Sequence, residues 1–228
     1  RLIWALNTLK NEKDEVLIDG FYDDVAPLTE KDLAFLKSIP YNEKSVLEKM
    51  EMDGFVNGVT GTELLKKLIY APTCNICGIK SGYIDQGSKT VLPAYAMAKL
   101  DFRLVPNMTR ERVVELLRKH LDKHGFTDVE IVSMPGAPAY RTNLDNPLVK
   151  AAIAASEETY QIPPAIYPNS SGTMGVYYFC HETGIPCVMY GVANEFSQVH
   201  APNENIYVED FLLGIKMTAN VIDKFSKA

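Results

Sequence analysis

The chain has no apolar run approaching the roughly 20 residues that a membrane span requires, and its 23 Lys and Arg residues, against 29 Asp and Glu, form no basic cluster. Membrane insertion and nucleic-acid binding therefore find no footprint in it. Cysteine is sparse: Cys74, Cys77, Cys180 and Cys187 are all there is. Four cysteines in a chain this long are no disulfide scaffold, so free thiols in a reducing cytoplasm are expected. No internal repeat and no low-complexity stretch occurs. The initiator methionine is also missing, and the first ten residues already carry helix periodicity. The expectation is a chain cut from something longer, and the opening helix is too short and too polar for a secretory signal.

What is present is ordinary for a globular protein: 228 residues, 46% hydrophobic, 23% charged, net charge −6. That is enough for one large domain or two small ones. A helix is predicted over 1–10. An elaborated polar insertion follows over about 11–60, with helices at 30–38 and 42–52, then a helical turn at 61–67 and a strand at 68–79. Over 94–105, Ala94, Ala96, Ala98, Leu100, Phe102 and Leu104 alternate with Tyr95, Met97, Lys99, Asp101, Arg103 and Val105. Period-two alternation of this length is a half-buried strand, with Arg103 near its end on the mixed face. Pro106 and Asn107 stop it. Thr109 caps the next helix, whose apolar stripe is Val113, Val114, Leu116, Leu117 and Leu121, and Gly125 closes it. Residues 129–133 read as a further strand. Strand, strand, helix, strand behind a helix is three-quarters of a ferredoxin-like unit, its first strand lying ahead of Arg1.

Residues 134–141 form a Pro- and Gly-containing linker and the domain boundary. Asn146 and Pro147 start a helix as cap and first residue, running to about Tyr160. A turn at 168–173 leads into a helix over 173–182, followed by a short buried strand at 187–191, a polar loop at 192–204, and a final helix with the stripe Phe211, Leu212, Ile215, Ala219, Ile222 and Phe225. This is the tail of an α/β layer protein.

Each candidate for chemistry has a plainer alternative. Cys74-Asn-Ile-Cys77 has zinc or redox spacing, but on a strand residues three apart face opposite ways. His120 and His124 are i, i+4 on a helix, yet no Glu follows the first, so the zinc-protease motif is absent. Both read as surface residues at a helix end, where an imidazolium suits the dipole, and so does His181. His200 lies in Val199-His-Ala-Pro-Asn-Glu-Asn205, a loop after a strand, the place where open α/β sheets hold ligands. Asn203 or Glu204 could orient its ring for a metal, though a surface loop is the plainer reading. Ser170-Ser-Gly-Thr173 reads as a capping turn, or as an anion cradle. Arg103 reads as a surface ion pair, or as a fork for a carboxylate.

Three segments taken together go further: 88–93 running on to Asp101-Phe-Arg-Leu-Val-Pro-Asn-Met-Thr109, the turn Ser170-Ser-Gly-Thr-Met174, and His200-Ala-Pro-Asn-Glu204. In this order they resemble the carnosinase and cytosolic dipeptidase branch of the aminoacylase-like dizinc peptidases, from about Cys77 to the end. The resemblance implies an α/β fold with a ferredoxin-like lid or dimerisation domain over 1–137 and the end of the catalytic domain over 138–228. It implies that Arg103 grips the substrate carboxylate, that Thr90 contacts substrate in a neighbouring subunit, that Thr173 and the Gly172 N–H hold the substrate's carboxyl end, and that His200 is a zinc ligand. Asn107 belongs to the strand-ending motif in a supporting role. The family turn often reads Gly-Gly-Ser where this chain has Ser-Gly-Thr.

Such enzymes hold two zinc ions, or manganese, roughly 3.5–4 Å apart around a shared nucleophilic water. The His-x-Asp and Glu-Glu motifs of that site do not occur here in place, Glu157-Glu158 lying in an Ala-rich helix. The fragment is therefore expected to bind no catalytic metal and to hydrolyse nothing alone. The full-length protein is expected to be a cytoplasmic homodimeric dipeptidase acting on small peptides, with an N-acyl amino acid deacylase or a non-catalytic dimerisation module as alternatives.

Overall fold

The computed structural model describes residues 1–170, 172–194 and 196–228. The element order is α1 (Leu2–Asn7), α2 (Glu30–Ser38), α3 (Glu43–Lys49), α4 (Gly61–Tyr70), β1 (Thr73–Ser81), β2 (Ala96–Arg103), α5 (Arg110–Lys123), α6 (Pro147–Tyr160), α7 (Val176–Thr183) and α8 (Val208–Phe225). The class is α/β, as the sequence predicts. Two compact units are present: Arg1–Ala139 with Asn169–Met174, and Tyr140–Pro168 with Gly175–Ala228.

In the first unit β1 and β2 pair antiparallel, Thr73 opposite Arg103 and Asn75 opposite Asp101. A bulge between Ile76 and Gly78 places Cys77 outward, whereas Cys74 is fully buried. The alternation of β2 works as predicted: Ala98, Leu100 and Phe102 pack on a core of Cys74, Val113, Leu116, Leu117 and Leu121. That core fixes the strand, and so fixes which residues stand on its other face. The Thr109 hydroxyl accepts from the Arg112 N–H and starts α5. Between β2 and α5 a Val105–Met108 turn has Pro106 second and Asn107 third, with Asn107 at φ +79°, the positive φ a type II turn requires.

Four expectations fail in this unit. The 11–60 region is not a pure insertion, because Val16, Ile18 and Phe21 are buried in the main core. Val16 and Ile18 alternate with the exposed Leu17, and Val16 bridges to Lys10, but so short a stretch does not announce a strand. The strand predicted from Leu68 begins only at Thr73: Leu68, Ile69 and Tyr70 finish α4, whose buried Leu64, Leu65 and Ile69 keep helical spacing, and Pro72 separates the two elements. Residues 129–133 form no strand among the described residues. Val129 and Ile131 still pack on the core. His120 is buried, not exposed, because it shares the inward face of α5 with Leu116 and Leu117.

In the second unit α6 and α8 pack together. Asn146 caps α6 and Pro147 opens it, as predicted. The buried face of α8 is Gly214, Met217 and Val221; Met217 and Val221 lie against Ala155 and its neighbours, and Gly214 faces Val192. The predicted stripe of Phe211, Leu212, Ile215 and Ile222 is exposed instead. Both faces of α8 are apolar, and the one that packs on α6 meets it through Met217 and Val221 against Ala155. A Cβ at Gly214 would collide with the Val192 side chain. The α7 helix starts at Val176 rather than at 173. Residues 187–191 form no paired strand among the described residues, and Met189 and Tyr190 are exposed. The Cys187 backbone turns instead to the Thr142 hydroxyl, which donates to its carbonyl at 2.6 Å and accepts from its N–H at 3.0 Å.

Candidate functional site

The outward face of β2 carries Asp101 and Arg103, two residues apart and therefore on one side. The Arg103 Nε donates to Asp101 Oδ2 at 2.8 Å, and its Nη1 donates to Thr173 Oγ1 at 2.7 Å. Thr173 comes from 70 residues away. Its segment is held to the first unit a second time, where Asn169 Nδ2 donates to the Ile69 carbonyl at 3.2 Å, at the end of α4. Within the turn the Gly172 N–H donates to Ser170 Oγ at 3.1 Å. Ser171 lies outside the described residues.

Arg103 and Asp101 have side chains 47% and 41% exposed, so their ion pair contributes at most about 1 kcal/mol to stability. Its effect is geometric. A guanidinium carries five N–H donors in a flat fork, and two of them are committed here. Among the described residues the rest have no partner, and they can take the two oxygens of a carboxylate in parallel bonds. The Thr173 hydroxyl stands beside that fork and can rotate to donate to the same anion.

The remaining predicted residues are distributed as follows. Thr90 lies in the exposed 82–95 connection between β1 and β2, on neither strand. Gly172 is exposed, with its N–H committed to Ser170. It sits ahead of α7 and not at its N-terminus, because the helix start is at Gly175, so the cradle of free helix N–H groups is not formed there. His200 is in the second unit. It is exposed and has φ +66°, with Gln198 at +52° and Asn203 at +63° in the same loop. Three non-glycine residues in left-handed conformation within six positions make a locally strained turn. The loop is pinned at its base: Asn205 N–H donates to the Ser197 carbonyl at 3.0 Å, and Asn194 Nδ2 donates to Asp210 Oδ2 at 2.8 Å. Neither Asn203 nor Glu204 reaches the His200 ring among the described residues.

No group of three or more His, Cys, Asp or Glu residues is arranged to hold a metal among the described residues. One imidazole does not hold a catalytic zinc, which takes about three protein ligands and an open position. The donors among the described residues do not fit a dizinc centre. Asp101 and Asn169 were missed as partners of the site; the signal for Asp101 was its i, i+2 relation to Arg103 on a strand.

Residues 5–129 match the peptidase dimerisation domain of the M20 type. The chain is similar to the Beta-Ala-His dipeptidase of Homo sapiens, 27% identical over 96% of this chain and 44% of the relative. It is similar to the Cys-Gly metallodipeptidase DUG1 of Saccharomyces cerevisiae, 25% identical over 100% of this chain and 48% of the relative. The solved M20 family metallo-carboxypeptidase Sso-CP2 from Sulfolobus solfataricus superposes with a TM-score of 0.93 at 35% identity, over 100% of this chain and 52% of that one. The chain spans about half the length of the relatives it matches. By the match over more than half its residues, the chain belongs to the M20 peptidases and carries their dimerisation domain.

Proposed function

We propose that the complete protein is a metal-dependent peptidase acting on dipeptides or short peptides with a free C-terminal carboxylate. This chain supplies its dimerisation domain and the groups that receive that carboxylate. The observation that carries the reading is the bond between Arg103 and Thr173: a cation fork and a hydroxyl from distant parts of the sequence converge on one spot. Arg103 would take both carboxylate oxygens, Thr173 would donate a further bond, and the Gly172 N–H would join on leaving Ser170. Binding energy spent on the carboxylate fixes the register of the peptide, which decides which amide bond is presented for cleavage.

The metals, zinc or manganese, would polarise that amide and activate water. His200 is proposed as one of their ligands, and a portion of about equal length, present in the relatives, supplies the others. Thr90 is proposed to reach substrate in the partner subunit of a homodimer, and the cytoplasm is the proposed compartment.

The test is to express the chain joined to its upstream coding sequence and assay a dipeptide panel with zinc or manganese. Hydrolysis that disappears in His200→Ala supports the reading. Full-length protein that dimerises but hydrolyses nothing in the panel overturns it in favour of an interaction module.

A further inference from the structure

We infer that Asp101 is a positioning residue, holding the Arg103 guanidinium so that it receives a carboxylate end-on. The inference rests on the carboxylate-binding reading of Arg103 given above. An arginine can fork onto a carboxylate along either of two edges: the side edge, through Nε and one Nη, or the end edge, through both Nη atoms. Here the Nε–H is held by Asp101 Oδ2 at 2.8 Å. A carboxylate arriving at the side edge would lose one of its two donors and meet the negative charge of Asp101. On the end edge Nη2 has no partner among the described residues, and Nη1 keeps one hydrogen beside the one it donates to Thr173 at 2.7 Å.

Two tethers on one guanidinium also remove most of the rotamer freedom of a long side chain before substrate arrives. Freezing such a side chain on binding would otherwise weaken affinity. The platform beneath is rigid. Leu100 and Phe102, alternating with these two residues, pack on the core, and Asp101 and Arg103 stand opposite Asn75 and Thr73 across the ladder. Asn75 and Thr73 bond to each other, Nδ2 to Oγ1 at 3.2 Å, and neither carries a charge that could replace Asp101 as the partner of Nε.

Asp101→Asn and Asp101→Ala separate the roles. Asparagine keeps an oxygen acceptor for Nε and loses the charge; alanine loses both. In the joined, active protein, Asp101→Ala should raise KM for a free-acid dipeptide about tenfold, with kcat within about twofold, and leave the C-terminal amide of the same dipeptide unaffected. Asp101→Asn should stay within about threefold of wild type. On the 228-residue chain itself, the Arg103 Nε–H resonance should be slow to exchange in wild type and Asp101→Asn and fast in Asp101→Ala, in variants whose far-UV circular dichroism matches wild type. An unchanged Nε–H in Asp101→Ala, or equal losses on acid and amide substrates, overturns the proposal. If Arg103→Ala itself leaves the acid-over-amide preference intact, the carboxylate reading falls and this one with it. If Arg103→Ala abolishes the preference while Asp101→Ala leaves it untouched, only the role of Asp101 is overturned.

Discussion

Replacing Phe21 by alanine should destabilise the first unit more than any substitution in the rest of the 11–60 region. Phe21 is 1% exposed, its ring meets Tyr22 edge-on at 5.1 Å, and it lies 6.0 Å from Phe102 on the inward face of β2. Truncating a buried Phe to Ala costs about 3–5 kcal/mol through lost transfer energy and the cavity left behind. Two aromatic neighbours put this site toward the upper end. At a urea slope of about 2 kcal/mol/M the midpoint should fall by about 2 M. Because the chain has two units, circular dichroism alone would mix two transitions, so hydrogen exchange of the α5 amides near Val113 and Leu117 should be followed in parallel. The control is Trp4→Ala, 71% exposed and expected to change stability by no more than about 0.5 kcal/mol. A Phe21→Ala effect no larger than the Trp4→Ala effect would refute the placement of the 16–21 segment in the core.

Burial and the nearby His124 hold the His120 imidazole below its ordinary pKa of 6.5, Lys123 adds to this, and Asp19 and the Thr8 contact oppose it. The unfolded chain therefore binds the proton more readily, so stability is full above about pH 6.5 and falls as the pH drops below it. Urea midpoints at pH 7.5 and 5.5 should show a smaller loss in His120→Gln than in wild type; equal losses would contradict this. Burial pushes the Cys74 thiol up to about 11, while Cys77 is exposed on the bulge, so maleimide at pH 8 should label Cys77 at least about a hundredfold faster, as read by peptide mass spectrometry. Gly214→Ala, normally favourable inside a helix by about 1 kcal/mol, should instead destabilise the second unit, because the new Cβ meets Val192. Adding Val192→Ala should recover most of the loss in thermal melts.

Much of this architecture is legible in the sequence where a single physical rule governs it. The alternation over 94–105 gives β2 and its two faces, Thr109 marks the start of α5, and Asn146 with Pro147 marks the start of α6. Legibility stops where two rules compete or none applies. The apolar run from Leu68 is shared between the end of a helix and a strand, and only Pro72 divides it. The inward face of α8 contains a glycine, which contributes nothing to an apolar stripe yet leaves room for the Val192 side chain. Phe21 and Ile18 sit in irregular chain, where the alternation is too short to announce a strand. At the candidate site, Asp101 beside Arg103 follows from strand geometry alone. The meeting of Arg103 with Thr173 is set by how a turn 70 residues away is anchored at Ile69, and no local pattern encodes that.

The central claim is that Arg103 receives the C-terminal carboxylate of a peptide. The direct measurement is kcat/KM of the joined protein for one dipeptide as free acid and as C-terminal amide, in wild type and Arg103→Ala. Wild type should prefer the acid, and the variant should lose that preference by about two orders of magnitude, the roughly 3 kcal/mol of a charge-assisted pair. An acid-over-amide ratio that survives the substitution would contradict the account.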